Sequence, residues 1–249
     1  MIIIKNDAEI ELMRHAGRLV GETLAKLEEM TKPGISTAEL DRIAEEFIIR
    51  RNGKPSFKGY YGFPASICTS INSEVVHGIP NQNVILQEGD IISIDCGAIL
   101  DGYQGDAART FGVGKISTEA AKLIDVTRES FFKGAQKAIV GNRLTDISAA
   151  VQQHAESSGY SVVRDYVGHG IGRNMHEDPE VPNFGRPGRG PKLCKGMVVA
   201  IEPMINIGEY YVRTQSNNWT VVTEDGSLAA HYENTVAILD NGPEILTLI

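Results

Sequence analysis

The 249-residue chain is 42% hydrophobic and 22% charged, the composition of an ordinary folded domain. Its formal net charge of −8 argues against a dedicated nucleic-acid binder, which would carry a basic face. No run reaches the roughly 18 apolar residues of a membrane helix, and the opening MIIIKNDAEI is too short an apolar run for a signal peptide. Cys68, Cys96 and Cys194 form no Cys-x-x-Cys pair and are odd in number, which points to a reducing compartment and predicts a cytoplasmic protein.

In chain order, Asn6-Asp7-Ala8-Glu9 reads as a helix cap, followed by Ile10, Met13, Ala16, Val20, Leu24 and Leu27 at helical spacing. Lys32-Pro33-Gly34 stops that helix, and Ser36 caps a second with Leu40, Ile43, Phe47 and Ile48 as its stripe. IISIDCGA (91–98) and YQGDAARTFGV (103–113) flank Asp101-Gly102, the dipeptide of a tight hairpin. A helical stretch over about 118–139 and another after Gly141 come next. The strand-like runs MVVAIEPMI, WTVVT and ENTVAIL close the chain.

The order helix, helix, strands therefore occurs twice, and the repeat has a register. EGDIISID (88–95) and KGMVVAIE (195–202) align without a gap at an offset of 107 residues, which also carries Gly34 onto Gly141 and Leu40 onto Ile147. Each half contains His-Gly-Ile, at His77 and at His169. This predicts an α+β fold of one domain over 1–249, with related halves of about 1–114 and 115–249 and a site drawn from both.

The repeat ends an apolar strand with Asp95 in one half and Glu202 in the other. A buried carboxylate without a partner is costly, so each needs one. A two-residue turn at Asp101-Gly102 pairs Asp106 with Gly97, which puts Asp95 on the same face at a diagonal of about 7–8 Å. Gly97 is expected to leave that space open. Glu233 enters ENTVAIL as a fourth acid, and His169 lies among Gly168, Gly170 and Gly172, read as letting the backbone bring the imidazole and a substrate close. Ordinary strand-end acids with surface partners are the bland alternative. Four carboxylates and one imidazole suit two divalent ions, Mn(II), Fe(II), Co(II) or Zn(II), about 3.5–4 Å apart and activating water for hydrolysis. The residues alone lead to a dinuclear metal hydrolase and no further.

The ordered set Asp95, Asp106, His169, Glu202, Glu233, with SINSEVVHGIP, GHGIGRNMHEDP, GMVVAIEPM and WTVVTEDGSLAAHYENT around it, resembles the pita-bread metallopeptidases and, among them, the type I methionine aminopeptidases of bacteria. The matching stretches run from Lys32 to Thr235. The resemblance implies two pseudo-symmetric halves around a central antiparallel sheet, and removal of the initiator methionine ahead of a small second residue. It assigns Asp95 to one ion, His169 and Glu202 to the other, and Asp106 and Glu233 as bridges. It makes His77 and His176 substrate-contacting catalytic histidines, and Tyr60, Phe63, Cys68 and Trp219 the walls of a methionine pocket. It implies nascent polypeptide amino termini as partners, at the ribosome, and a monomer without membrane or sequence-specific nucleic-acid contacts. Three positions depart from the family pattern: Asn234 stands where histidine is usual, Phe57 where the pocket rim is often smaller, and Met175 where an aromatic residue or leucine is common. Prolidases share the five ligands but usually carry a sizeable extra amino-terminal domain, whereas only 76 residues precede His77 here, and the type II methionine enzymes carry a long insertion in the catalytic half for which this chain has no room. A binding protein with a decayed site and a glycoside hydrolase using paired acids are the remaining alternatives.

Overall fold

In the computed structural model, which describes residues 1–249, the Asn6 side chain accepts from the Glu9 backbone N–H while the Glu9 carboxylate accepts from Asn6 N–H. This reciprocal cap satisfies two otherwise unpaired donors and starts helix α1, Asp7–Met30. Ser36 caps α2, Thr37–Arg50, through its side chain alone, Oγ accepting from Glu39 N–H. The apolar stripe of α1 is buried from Ile10 to Leu27, and its later part, Leu19, Val20, Leu24 and Leu27, packs with Leu40 and Ile48 of α2 onto the hairpin face bearing Ile92, Ile94 and Ala107.

The hairpin has the register its turn dictates. Ile91–Leu100 pairs antiparallel with Tyr103–Gly112, Leu100 facing Tyr103 and Gly97 facing Asp106. Ile67–Ile71 adds to the other edge of Ile91–Leu100, with Cys68 opposite Asp95.

Helices α3, Thr118–Ala135, and α4, Leu144–Ser157, repeat the helix pair. α3 ends four residues short of the expected 139. Beyond Ala135 the backbone turns through Lys137 N–H to Gly134 O and Ala138 N–H to Ala135 O, while Ala138 remains buried beside Phe131. The apolar periodicity therefore outlasts the helix. MVVAIEPMI also divides, into Val198–Ile201 and Met204–Asn206, because Pro203 has no N–H to give a ladder.

The antiparallel strands fall into four sheets. In one of them Asn234–Leu239 pairs with Val198–Ile201, Asn234 facing Ile201. The two halves meet where the hairpin touches the start of this strand. Ala108 and Glu233 exchange both backbone hydrogen bonds, at 3.3 and 3.0 Å, and Thr235 Oγ1 accepts from Asp106 N–H and donates to Asp106 O. That seam sets Asp106 and Glu233 side by side. No helix is long and apolar enough to cross a membrane.

Candidate metal centre and substrate cavity

Asp95 and Asp106 come from the two hairpin strands, Glu202 from the end of Val198–Ile201, and Glu233 from the seam. His169 sits in the short strand Gly168–Gly170, which pairs with the strand before Glu202 through Gly170 and Val199. His169 Nδ1–H donates to Gly170 O at 2.8 Å, which fixes the ring and leaves Nε2 facing Asp106 Oδ2 at 3.9 Å and Glu202 Oε1 at 3.7 Å.

The glycines around His169 serve a different purpose from the one their sequence suggested. A Cβ on Gly170 would lie 2.9 Å from Glu177 O and closer still to the Asp178 carbonyl. A Cβ on Gly168 would run into Ala200 O. Neighbouring backbone presses on the His169 strand from both sides, and it is that packing, not substrate approach, that excludes side chains. Gly97 likewise does not leave space open, because a Cβ there would meet Met175 Cε at 2.8 Å and Phe57 Cε1 at 2.9 Å. Phe57 and Met175, two of the departures from the family pattern, fill that space together.

All eleven residues singled out in the sequence line one cavity of about 230 Å³. Asp95, Asp106, His169, Glu202 and Glu233 form one part of it, and His77 and His176 lie alongside them. His176 stands against His169 with ring centroids 4.3 Å apart, and its Nδ1 is 2.8 Å from the Tyr60 hydroxyl. Phe63 and Trp219 meet edge to face at 5.1 Å and, with Cys68, make an apolar wall. Asn234 does not reach the cavity: its Oδ1 accepts from Arg109 Nη2 at 2.6 Å and from Thr247 Oγ1 at 2.9 Å. The sequence reading missed Tyr61, exposed at the mouth with φ 47°, and His231. His231 lies beside Glu233 and Glu202, and its position two residues before Glu233 was the available signal.

Desolvation raises the pKa of every one of these carboxyls. Asp95 is pushed up to about 7. Asp106, Glu202 and Glu233 are raised well above their usual range, with repulsion from neighbouring carboxylates adding to burial. Burial pushes His77 and His169 down to about 4, and the His176 ring helps, so both present neutral lone pairs. Asp95 Oδ1, Asp106 Oδ1 and Glu233 Oε1 are buried without a hydrogen-bond partner. Unpaired buried acceptors are rare in folded proteins. Here they converge with an oriented imidazole, and two donor sets, Asp95–His231–Glu233 and Asp106–His169–Glu233, each hold their atoms within 4.8 Å. Oxygen-rich sets with nitrogen fit hard or borderline divalent ions.

The model of metallopeptidase family M24 matches residues 11–240. The chain belongs to metallopeptidase family M24. Over 248 residues it is 75% identical to the methionine aminopeptidase of Clostridium acetobutylicum, covering 100% of this chain and 99% of that protein. It is 55% identical over its full length to methionine aminopeptidase 1 of Bacillus subtilis. The crystal structure of methionine aminopeptidase from Rickettsia prowazekii superposes with a TM-score of 0.98 at 44% identity, covering 100% of both chains. This M24 chain has the pita-bread fold and is a metal-dependent hydrolase.

The raised carboxyl pKa values give a pH test. With a folded pKa above the unfolded 3.8, Asp95 makes the folded metal-free chain bind more protons, so stability is lost as pH rises toward about 7. The other three carboxyls, raised in the same direction by burial and mutual repulsion, add to that loss. The depressed imidazoles act in the opposite sense, but only below 6.5, where the unfolded chain takes up protons. Between pH 6.5 and 8 the melting temperature of chelator-treated protein should therefore fall, and the gain on adding Mn(II) or Co(II) should grow. A metal-free melting temperature that rises over this range would count against the carboxylate cluster.

Proposed function

We propose that this chain removes the amino-terminal methionine of new polypeptides when the second residue is small, with two divalent ions held at the carboxylate–histidine site. The observation that carries the reading is the distance of one cross-strand step between Cys68, in the apolar wall, and Asp95, in the donor set. A single side chain seated against Phe63, Cys68 and Trp219 puts its own carbonyl at the donors, so only the first residue of a peptide can be cut. An unbranched thioether suits aromatic walls, gaining about 0.3–1.5 kcal/mol from each sulfur contact. The identities to proteins named methionine aminopeptidase support the same substrate.

Asp95 would hold one ion, His169 and Glu202 the other, and Asp106 and Glu233 both. Bound there, divalent ions polarise the scissile carbonyl and lower the pKa of water to supply a nucleophile at neutral pH. The chain's own part is positioning and proton handling. Tyr60 donates to His176 Nδ1, which leaves the His176 proton on Nε2 as a hydrogen bond for the scissile peptide oxygen. His77, neutral through burial, hydrogen-bonds the same peptide group and assists proton transfer to the departing amine. The two imidazoles crowd the space beyond the cut bond, which disfavours a bulky second residue. Residues 1–249 act as one catalytic unit of two halves, 1–114 and 115–249. It works as a monomer in the cytoplasm on chains emerging from the ribosome.

The test follows free methionine from Met-Ala-Ser, Met-Leu-Ser and an Ala-Pro peptide. Release from Met-Ala-Ser, with Met-Leu-Ser slower by at least about tenfold, is the expected result; each 1.4 kcal/mol of crowding is one such factor. Cleavage only before proline would transfer the chain to the prolyl branch of the fold.

A further inference from the structure

His231 is the one imidazole at the centre with no part in either the five-residue ligand set or the catalytic pair His77 and His176. It is 2% exposed, and its Nε2 has no hydrogen-bond partner. Its backbone is clamped to the hairpin strand carrying Asp106: His231 N–H donates to Thr110 Oγ1, and Thr110 Oγ1 donates to His231 O, both at 2.9 Å. Ser93 Oγ lies 2.8 Å from that hydroxyl and completes the clamp. From this fixed position Nε2 faces Glu233 Oε2 at 3.7 Å and Glu202 Oε2 at 4.0 Å. These distances are too long for hydrogen bonds. They nearly match the 3.7 and 3.9 Å by which His169 Nε2 stands off from Glu202 and Asp106. Donors each about 2.1 Å from a shared ion are separated by about 3–4 Å, and that is the spacing both histidines keep.

The geometry points to His231 as a second nitrogen ligand, completing the Asp95–Glu233 ion site as His169 completes the Asp106–Glu233 site. The centre then has one imidazole per ion, with Glu233 common to both sets. The inference rests on the two-ion reading above. It gives the unpaired Nε2 a partner and accounts for a histidine where any other buried polar group would be left unsatisfied. The Arg109 guanidinium lies over the Tyr232 ring and gives its hydrogen bonds to Ala108 O, Glu233 O and Asn234 Oδ1, none of them to the ring nitrogen.

The experiment is proton NMR of the Co(II)-loaded protein. Each coordinated imidazole contributes one strongly shifted, solvent-exchangeable N–H signal, so the wild-type protein should show two. His231→Gln should remove one and weaken one of the two Co(II) equivalents by at least about tenfold in calorimetry, outer-shell changes alone reaching 10–100-fold. His169→Gln should remove the other signal, and circular dichroism of both metal-free variants should match the wild type. One shifted signal in the wild type, lost in His169→Gln and kept in His231→Gln, would overturn the inference and leave the five-ligand centre standing. If His231→Gln does not fold, His231→Asn read in the same way decides it. No Co(II) binding by the folded wild type would bring down the metal centre itself.

Discussion

Asp106→Asn should abolish methionine release and at the same time make the metal-free protein more stable. Asp106 is 4% exposed, Oδ1 has no partner, and Glu233 and Asp95 repel it. Asparagine keeps the shape and the backbone bonds to Thr235, which use Asp106 N–H and O and not its side chain. Removing one charge from the cluster relieves its neighbours, each pKa unit of relief being worth about 1.4 kcal/mol. On the two-ion reading the same change removes an oxygen that would serve both ions, so kcat/KM should fall by at least about 100-fold and metal should no longer raise the melting temperature. Activity assays with melting curves at pH 8, with and without Mn(II), check both arms. A variant that is destabilised without metal would show that Asp106 serves the fold and not an ion.

Gly170→Ala should have the second large effect, from steric conflict and not charge. The added Cβ meets the carbonyls of Glu177 and Asp178, which are backbone and can move only with their strand. Overpacking of this kind costs about 1–3 kcal/mol. The strand next to it carries Asp178 and follows His176, and Gly170 O is the acceptor that orients His169. The substitution should therefore weaken metal binding as well as lower the melting temperature. Calorimetric titration with Co(II) alongside thermal unfolding measures both. A variant that melts lower but binds metal as tightly as the wild type would separate the glycine from the histidine's orientation.

What the sequence revealed of this molecule follows how local each feature is. The Asn6–Glu9 cap and the Asp101-Gly102 turn are decided within a few residues, and both formed as expected. From that turn the pairing of Asp106 with Gly97 followed, and with it half of the carboxylate cluster. The other half depended on the offset that carries Asp95 onto Glu202, a signal of repetition independent of any local preference. Nothing local announces that Ala108 and Glu233 would exchange backbone hydrogen bonds, yet that seam is what joins the two halves of the site. The glycines were misread for the same reason. Their neighbours, Asp178, Ala200, Phe57 and Met175, are remote in sequence or reached by a fold-back. His231 was overlooked because its strand, Ala229–His231, stops before Glu233, which falls in the gap ahead of the strand Asn234–Leu239.

Methionine release should require divalent ions at the carboxylate–histidine centre. The most direct measurement is anaerobic: chelator-stripped protein is titrated with Mn(II), Fe(II) or Co(II) while free methionine from Met-Ala-Ser is followed. The stripped protein should release none, and recovery should saturate within about two ion equivalents per chain. Full activity in the stripped protein, or none after two equivalents are shown to be bound, would contradict that requirement.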